Sequence, residues 1–420
     1  MTLSRRAFAA GSLALTTGLA APRAFAQARP RLVVVGAGPG GATLAKYAAM
    51  AGGLDVTLVD PAERYVTCFH SNLYLAGFKS LDDITHALAP LEKYGVRHVR
   101  AFAKAIDRDR KEVMLSDGTR QAYDRLALSP GVDLDYASVP GWGKDKEEIA
   151  PHAWKAGPQT ELLRRKLDAV PDGGVIIMLA PPNPYRCPPG PYERVSMMAY
   201  RLKNTGRPNA RIIILDPKET YSKQALFQAG WEKRYPGMVE WIGPGIHEGV
   251  KEVDVAAGSV RTGFDTFRGA SFINVIPAQT AGAIARDAGL ADASRFCPID
   301  PATMKSRVDP FIHVIGDSCI AGDMPKSGFA ANQQAKVAAA ALRAELLGER
   351  AFPARFFNTC WSQIAPGDAV KVGGVYAPKD GKIAAVQSYV SQLNEDETLR
   401  LKQSDQNLGW YNAMVADCFG

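Results

Sequence analysis

The stretch RLVVVGAGPGG, residues 31–41, decides the fold of this 420-residue chain. Its first half is short, apolar and β-branched, which is typical of a buried strand in a parallel sheet. Three glycines follow with G-x-G-x-x-G spacing, Gly36, Gly38 and Gly41, and residues 42–50 have a helical composition. Glycines at these places permit, in turn, a tight turn, a close approach of backbone to a pyrophosphate and close helix–strand packing. The stretch therefore predicts a dinucleotide site at a helix N-terminus, where free N–H groups meet phosphates.

The segment after this helix supports the same interpretation. A second apolar strand, Asp55–Val59, ends at Asp60, 24 residues after Gly36. A carboxylate at this place accepts hydrogen bonds from the ribose hydroxyls of a dinucleotide. A glycine motif alone also fits a purely structural turn. Strand, glycines, helix, strand and terminal acid in one unit favour nucleotide binding.

Two distant segments indicate which dinucleotide is bound. Residues 311–317 form a predicted strand that ends in Gly-Asp, followed by a loop and a helix from about 329 to 347. This segment resembles the second FAD signature of the two-dinucleotide-binding flavoproteins, which implies that Asp317 contacts the ribityl chain. Residues 126–131 resemble the strand and turn that end the first FAD segment of those proteins, with Gly131 in the turn. We therefore expect an α/β fold of the glutathione-reductase type, with FAD as cofactor and a smaller C-terminal α+β domain.

The middle of the chain lacks the features of a second nucleotide site. Buried strands are predicted at 174–180 and 211–216, but the turn after the first, 181–191, is rich in proline. Proline has no N–H donor, so this turn is unsuited to cradling a phosphate with its backbone. We expect a central nucleotide-like domain without an NAD(P) site, and hence an electron donor other than NAD(P)H.

Chain length limits the number of domains, and net charge limits the classes of ligand. A chain of this length holds two or three domains, because single cores seldom grow beyond ~250 residues. We place the FAD-binding domain at 27–140 and 282–350, the central domain at 141–281 and a C-terminal domain at 351–420. The net charge is +7, and three arginines but no acids lie in residues 1–26, which leaves 7 − 3 = +4 for the rest. This mild, scattered charge argues against nucleic-acid binding.

Residues 1–26 have the pattern of a signal peptide. Arg5 and Arg6 precede a small or apolar run over 7–21, and Ala-Phe-Ala at 24–26 supplies a cleavage site. The paired arginines resemble a twin-arginine signal, which exports folded proteins, and a general secretory signal with an incidental arginine pair is the alternative. No other stretch offers ~18 consecutive apolar residues. We therefore expect a mature chain without a membrane span, located in a bacterial periplasm.

The cysteines carry the remaining chemistry, and they are Cys68, Cys187, Cys297, Cys319, Cys360 and Cys418. No C-x-x-C or C-x-x-C-H occurs, so the sequence indicates no zinc ribbon, no metal site and no attached c-type haem. A cysteine outside such motifs is most often a small buried hydrophobe. Three have a distinctive context: Cys187 lies in the proline-rich turn, Cys360 lies among aromatic residues, and Cys68 follows the second strand.

These segments together resemble the flavoprotein subunit of flavocytochrome c sulfide dehydrogenase. The similarity covers nearly the whole mature chain and is carried by PHAWKAG at 151–157, CPPGPYER at 187–194, MPKSG at 324–328 and WYN at 410–412. The resemblance implies that Cys68, in a Thr-Cys-aromatic motif, binds FAD through an 8α-thioether. Two positions depart from the family pattern: His70 stands where an apolar residue is usual, and Asp60 where a glutamate is usual.

The resemblance also implies a redox disulfide beside the flavin. Its members are Cys187, in Arg-Cys-Pro-Pro-Gly, and Cys360, in Asn-Thr-Cys-aromatic, while Glu193 of Pro-Tyr-Glu-Arg is the implied acid or base. An ordinary stabilising disulfide stays the less favoured alternative, and an exposed Glu193 that only caps a helix suits the sequence as well as a catalytic one. Cys297 and Cys319 are expected to be buried without a chemical role, and no role is assigned to Cys418.

The implied function is that of a sulfide:cytochrome c oxidoreductase. Hydrosulfide attacks the disulfide and gives a persulfide and a thiolate. Two electrons then pass to the flavin and, one at a time, to a c-type haem on a separate cytochrome subunit in a heterodimer. Aromatic residues of 351–420 are expected to cover the flavin and contact this partner, although most of them also suit a core.

Two other functions stay open at the level of sequence. One is sulfide:quinone reduction at a membrane surface, for which residues 395–401 lack a broad apolar stripe. The other is a non-catalytic, flavin-bearing accessory subunit of a sulfur-oxidising complex.

Overall fold

The computed structural model of the protein describes residues 28–420. The predicted signal peptide, 1–26, lies outside the described residues. Within them, short strands alternate with helices as far as residue 347, and long antiparallel strands and a long helix follow.

Before residue 140 the described chain forms these strands and α-helices: β1 (Arg31–Val35), α1 (Pro39–Ala49), β2 (Asp55–Val59), β3 (Arg64–Val66), α2 (Ser71–Ala76), β4 (Thr85–Ala87), β5 (Val96–Val99), β6 (Ala103–Asp107), β7 (Glu112–Leu115), β8 (Arg120–Ala122), β9 (Arg125–Leu128) and β10 (Val132–Asp135). The central stretch continues with α3 (Pro158–Asp168), β11 (Val175–Leu179), α4 (Gly190–Asn204), β12 (Arg211–Leu215), α5 (Gln224–Arg234), β13 (Val239–Ile242), α6 (Pro244–His247), β14 (Val250–Asp254), β15 (Ser259–Thr262), β16 (Thr266–Phe267), β17 (Ala270–Val275) and β18 (Ala278–Ala281).

The chain then forms α7 (Ala283–Asp287), β19 (Cys297–Pro298), β20 (Ile312–Val314), β21 (Cys319–Ile320) and α8 (Gly328–Leu347). It ends with β22 (Phe356–Ala365), β23 (Asp368–Lys379), β24 (Lys382–Val390) and α9 (Glu397–Phe419).

The first sheet is parallel and is built from two separate stretches of the chain. Its strand order is β20-β9-β1-β2-β5, so β20, which lies nearly 200 residues after β9, completes one edge. Helices α1 and α8 pack against each other beside it. Ser327 caps α8 by accepting a hydrogen bond from the Ala330 N–H, and Gly348 ends it with φ +70°. This architecture confirms the predicted two-dinucleotide-binding fold.

The second sheet is also parallel, with order β13-β12-β11-β17. β11 and β12 are apolar and almost wholly buried, as their Ile-rich sequences predict. The proline-rich turn follows β11 at the carboxyl edge of this sheet. In an open parallel sheet this is the edge where ligands bind.

The C-terminal stretch is an antiparallel sheet, β22-β23-β24, followed by α9. Ile364 of β22 approaches Gly230 of α5, and the Tyr235 hydroxyl donates to the Ile364 carbonyl at 2.7 Å, so this sheet lies against the central domain. α9 returns to the first domain, where the Lys46 ammonium donates to the carbonyl of Gly420 at 2.7 Å. In the part of the chain from 28 to 420, no helix is long and apolar enough to span a membrane.

Candidate active site

The glycine motif shapes the start of α1. A methyl group on Gly41 would lie 1.8 Å from the Gly36 carbonyl oxygen, so only glycine permits this packing of helix on strand. Gly36 itself has φ +94° and passes close to the Ser129 carbonyl. A methyl group on Gly38 would meet the Tyr65 ring at 3.6 Å, an ordinary contact distance. No side chain caps α1 at Gly38, which leaves N–H groups of the first turn available to a pyrophosphate.

Asp60 lies beside this motif. Its carboxylate accepts hydrogen bonds from the N–H of Ala37 at 2.7 Å and from the N–H of Ala62 at 2.9 Å. The side chain is thus fixed at the end of β2, next to the turn that the glycines make. This is the place from which a carboxylate reaches a ribose.

Gly131 and Asp317 come from the two separate FAD-binding stretches, whose turns lie side by side. The Ser318 hydroxyl donates to the carbonyl of Gly131, which joins the two turns. Asp317 is buried, and its Oδ1 has no hydrogen-bond partner among residues 28–420. Burial raises the pKa of this carboxyl, although Arg186 lies 3.8 Å from Oδ2 and lowers it. A buried acceptor without a donor fits a ribityl hydroxyl.

One cleft brings together the four residues singled out for chemistry. Cys68, Cys187, Glu193 and Cys360 all line one cavity. They come from the turn after β3, the turn after β11, the first turn of α4 and the middle of β22. Aromatic rings of Trp154, Trp361 and Trp410 line the same space, and all three have buried indole N–H groups without a partner in the described chain.

Cys187 lies in the turn just before α4, and backbone hydrogen bonds hold it there. Its backbone lies in the left-handed region, with φ +58°, which is strained for a residue other than glycine. Its N–H donates to the Lys326 carbonyl at 2.8 Å, and its own carbonyl accepts from the Gly190 N–H. Burial raises the pKa of the Cys187 thiol well above its ordinary value, and the neighbouring Cys360 raises it further. Strain at a cysteine held in a cleft is typical of a functional position.

Cys360 has a more polar setting. The side-chain amide of Asn358 donates to its sulfur at 3.5 Å. Burial raises the pKa of the Cys360 thiol, while the Asn358 hydrogen bond and the Lys223 ammonium act to lower it. Both cysteines are separate thiols in this structure, and their pairing as a disulfide stays a prediction.

Glu193 is held inside the cleft rather than exposed at a helix end. Its Oε2 accepts from the Asn72 amide at 2.8 Å, and its Oε1 accepts from the N–H of Gln363 at 2.9 Å. Burial raises the pKa of this carboxyl. The side chain therefore bridges α2 and β22 beside the two thiols, an arrangement that a solvent-exposed capping residue does not have.

His70 adds a polar but uncharged ring to the cleft. It has φ +65°, stacks on Tyr411 at 4.1 Å between centroids, and its Nε2 lies 3.1 Å from the Asn407 amide oxygen. Its Nδ1 is buried without a partner in the described residues. Burial lowers the pKa of His70 to about 4, so the ring is neutral at physiological pH.

The cleft and the glycine turn together suit FAD. The residues that fit it are the open N-terminus of α1, the orphaned oxygen of Asp317 and the orphaned donors of the aromatic cleft beside Cys68. Sequence reasoning missed the polar residues that organise the cleft: Asn72, Arg186, Arg194, Lys223, Lys326 and Asn407. Their signal was weak because each acts through contacts far along the chain. Only Arg186, Arg194 and Lys326 lie in or beside a motif.

The corresponding edge of the central sheet is filled by its own side chains. Asp216 follows β12, where the acid of a second dinucleotide site would stand. It is fully buried, lies 2.6 Å from the Lys218 ammonium and accepts from the Trp241 indole at 3.0 Å. Tyr192 stacks on Tyr221 at 3.7 Å between centroids in the same region.

The other cysteines lie apart from the cleft. Cys297 and Cys319 are register partners on β19 and β21 and are fully buried. The Thr43 hydroxyl lies 3.3 Å from the sulfur of Cys418, which is also buried.

Three family models match the chain. Residues 160–277 match the central domain of the sulfide dehydrogenase (flavocytochrome c) flavoprotein chain. Residues 353–419 match the flavin-binding domain of flavocytochrome c sulphide dehydrogenase. Residues 30–170 match the pyridine nucleotide-disulphide oxidoreductase family.

Known proteins with the same fold include enzymes of sulfur metabolism. The mitochondrial sulfide:quinone oxidoreductase of Mus musculus is 22% identical over 319 residues, which cover 73% of this chain and 69% of that protein. The sulfide:quinone oxidoreductase of Aquifex aeolicus superposes with a TM-score of 0.73 at 17% identity, over 92% of each chain. The NAD-dependent persulfide reductase of A. fulgidus gives 0.61 at 13% identity, over 90% of this chain and 76% of its own. At these identities the superpositions establish the fold.

Proposed function

Because the chain is an FAD flavoprotein with the central and flavin-binding domains of the flavocytochrome c sulfide dehydrogenase family, we propose that it oxidises hydrosulfide and delivers the electrons to a c-type cytochrome subunit. The observation that carries this proposal is the meeting of Cys187, Cys360 and Glu193 with Cys68 in one aromatic cleft. A disulfide between two cysteines of one cleft is what exchange with hydrosulfide requires.

The proposed reaction begins at the two cysteine sulfurs. Hydrosulfide attacks one sulfur of the Cys187–Cys360 disulfide, the S–S bond breaks, and the products are a persulfide on one cysteine and a thiolate on the other. Glu193 holds or moves a proton beside them. The aromatic lining keeps water away, which strengthens every electrostatic interaction in the cleft.

The proposed FAD site uses residues already described. The turn of Gly36, Gly38 and Gly41 accommodates the pyrophosphate, Asp60 binds the ribose, and Gly131 and Asp317 border the ribityl chain. Cys68 supplies the thioether. When bound, the flavin supplies a two-electron acceptor that can release electrons singly to a haem.

Replacing Glu193 tests its role as an acid or base. We expect Glu193→Gln to lower kcat for sulfide oxidation by about 10²-fold. Burial raises the pKa of Glu193, so activity that needs the carboxylate falls as the pH drops through a value above the usual carboxyl range. The variant should lose this acid limb. The measurement is the pH profile of kcat, with each variant compared at the same pH.

Glu161→Gln is the matched control, because Glu161 occupies the first turn of another helix, α3, away from the cleft. It should keep the wild-type profile. An unchanged profile in Glu193→Gln would reduce Glu193 to a structural bridge between Asn72 and Gln363.

Reduced nicotinamides should not reduce the bound flavin. The proline-rich turn has few N–H donors, those of Arg186, Cys187 and Gly190 are already used, and Asp216 is engaged by other side chains of the central domain. Anaerobic titration followed at the flavin absorbance should show bleaching with sulfide and none with NADH or NADPH at the same concentration. Stoichiometric bleaching by either nicotinamide would refute the proposed loss of the second nucleotide site.

The acceptor and the compartment are part of the same proposal. We place the protein in the periplasm as a heterodimer with a c-type cytochrome, on the strength of its N-terminal sequence pattern and the family of its domains. On α9, the exposed Leu401 and Leu408 alternate with Asp405 and Asn412, so this helix offers no continuous apolar stripe to a membrane surface.

Steady-state assays with sulfide separate the possible acceptors. We expect turnover with cytochrome c and slow reduction of a short-chain quinone. Faster turnover with the quinone would identify a sulfide:quinone oxidoreductase. A protein that binds FAD but turns over with neither acceptor would be an accessory subunit.

A further inference from the structure

Lys223 is a buried cation whose ammonium lies against β22. It precedes α5 and is only 8% exposed. Its ammonium donates to the Cys360 carbonyl at 3.0 Å, to the Ser362 hydroxyl at 2.8 Å and to the Val370 carbonyl at 3.3 Å. All three acceptors are neutral. No carboxylate oxygen of residues 28–420 lies within the 4.0 Å of an ion pair with it.

Burying an ammonium without an ion-pair partner costs free energy, so the position of Lys223 needs an explanation. Burial lowers the pKa of Lys223 to about 8, and Cys360, Glu193 and Cys187 oppose that shift, whereas Arg400 reinforces it. These are the charged or titratable groups that face the ammonium from β22, α4, the proline-rich turn and α9. The ring of Phe227 lies 5.7 Å from it. Among the neighbouring groups that can become anions, the Cys360 thiol acts most strongly on this ammonium, which also donates to the carbonyl of the same residue.

The two thiols of the cleft differ in this respect. Cys360 has the Lys223 charge and the Asn358 amide to stabilise a thiolate. Cys187 has Arg186 nearby, but Cys360 and Cys68 disfavour a negative charge on it, and Glu193 disfavours a thiolate at either sulfur. In disulfide exchange, the sulfur that forms the more stable thiolate is the better leaving group.

We propose that Lys223 is a positioning residue that stabilises the Cys360 thiolate and thereby sets the direction in which the disulfide opens. This inference rests on the proposed function. The hydrosulfide sulfur bonds to Cys187, the S–S bond breaks, and its electron pair leaves on Cys360. One disulfide and one hydrosulfide thus give one persulfide, which keeps the proton, and one thiolate. No external oxidant or reductant enters this step.

The test measures the acidity of Cys360 directly. In the FAD-loaded protein carrying Cys187→Ser, the rate of Cys360 alkylation by iodoacetamide is followed against pH by peptide mass spectrometry. Lys223→Met should move the midpoint upward by about one pH unit, which lowers the rate about tenfold at pH values below both midpoints. Lys223→Arg should keep the midpoint close to that of the parent. Lys233→Met, which removes an exposed lysine from α5, is the matched control and should leave the profile unchanged.

A purely structural role predicts a different result. If Lys223 only ties the central domain to the C-terminal sheet, Lys223→Met changes thermal stability but leaves the alkylation profile of Cys360 in place, and the proposal is overturned. Should the methionine variant fail to fold, Lys223→Gln keeps a donor for the carbonyl groups while removing the charge, and the same shift is expected.

A second measurement locates the sulfur. With both cysteines present, brief exposure to less than one equivalent of sulfide, followed by alkylation, should place the persulfide on Cys187. In Lys223→Met, part of it should move to Cys360. A persulfide found equally on both cysteines in the wild type would refute the directional role. No persulfide on either, with a normal alkylation shift, would contradict the proposed function and leave the role of Lys223 in thiol acidity standing.

Discussion

Cys187→Ser and Cys360→Ser are each expected to abolish sulfide-dependent reduction of cytochrome c, with a loss of roughly 10³-fold or more, because each removes a group on which the chemical step depends. A hydroxyl cannot form the disulfide that hydrosulfide attacks. The two sulfurs line one cleft, so losing either leaves the other without its partner. The measurement is steady-state kcat with sulfide and cytochrome c, together with the flavin content of each variant.

Cys418→Ser is the control for this pair of substitutions. Cys418 is also buried, yet its neighbours are Thr43 and Asn332 in the first domain, where a serine hydroxyl can take the same hydrogen bonds. It should retain activity within about threefold, since substitutions away from the functional features change little. If Cys187→Ser or Cys360→Ser kept full turnover with bound FAD, sulfide oxidation would not proceed through these sulfurs.

Cys68→Ala is expected to eliminate covalent flavin. Cys68 stands at the rim of the cleft, in the turn between β3 and α2, where its carbonyl accepts from the Ser71 hydroxyl at 2.6 Å. This fixed turn leaves the thiol facing the space proposed for the flavin. Intact mass of the denatured, acid-precipitated protein should include FAD in the wild type and lack it in the variant.

Non-covalent binding of FAD by Cys68→Ala is the comparison for that result. The variant keeps the glycine turn, Asp60 and Asp317, so native Cys68→Ala should still bind FAD and show flavin absorbance, which is released on denaturation. Cys319→Ala, a buried cysteine near the same domain, should retain covalent FAD. Release of free FAD from the denatured wild type would show that the thioether is absent and would shift weight toward a quinone reductase or an accessory flavoprotein.

The fold and the FAD signatures could be predicted from short stretches of the sequence. The stretch 31–41 specifies strand, turn and helix within eleven residues, and its glycines are dictated by local contacts such as that of Gly41 with the Gly36 carbonyl. The strand at 311–317 likewise has its signal in consecutive residues. Even the assembly of one sheet from two stretches followed, because the FAD signatures fell on both sides of the central domain.

The organisation of the cleft could not be predicted in this way, because it depends on contacts between distant parts of the chain. Glu193 suited an exposed helix cap in the sequence, but its bonds to Asn72 and Gln363 come from positions 121 and 170 residues away. Asp216 and Lys223 carried no motif, and their roles follow from long-range burial: Asp216 is engaged where a second nucleotide would bind, and Lys223 lies behind a cysteine 137 residues later. Short-range patterns fix backbone elements. Which buried charges face one another depends on how separate sheets pack, and no single stretch of the sequence determines that packing.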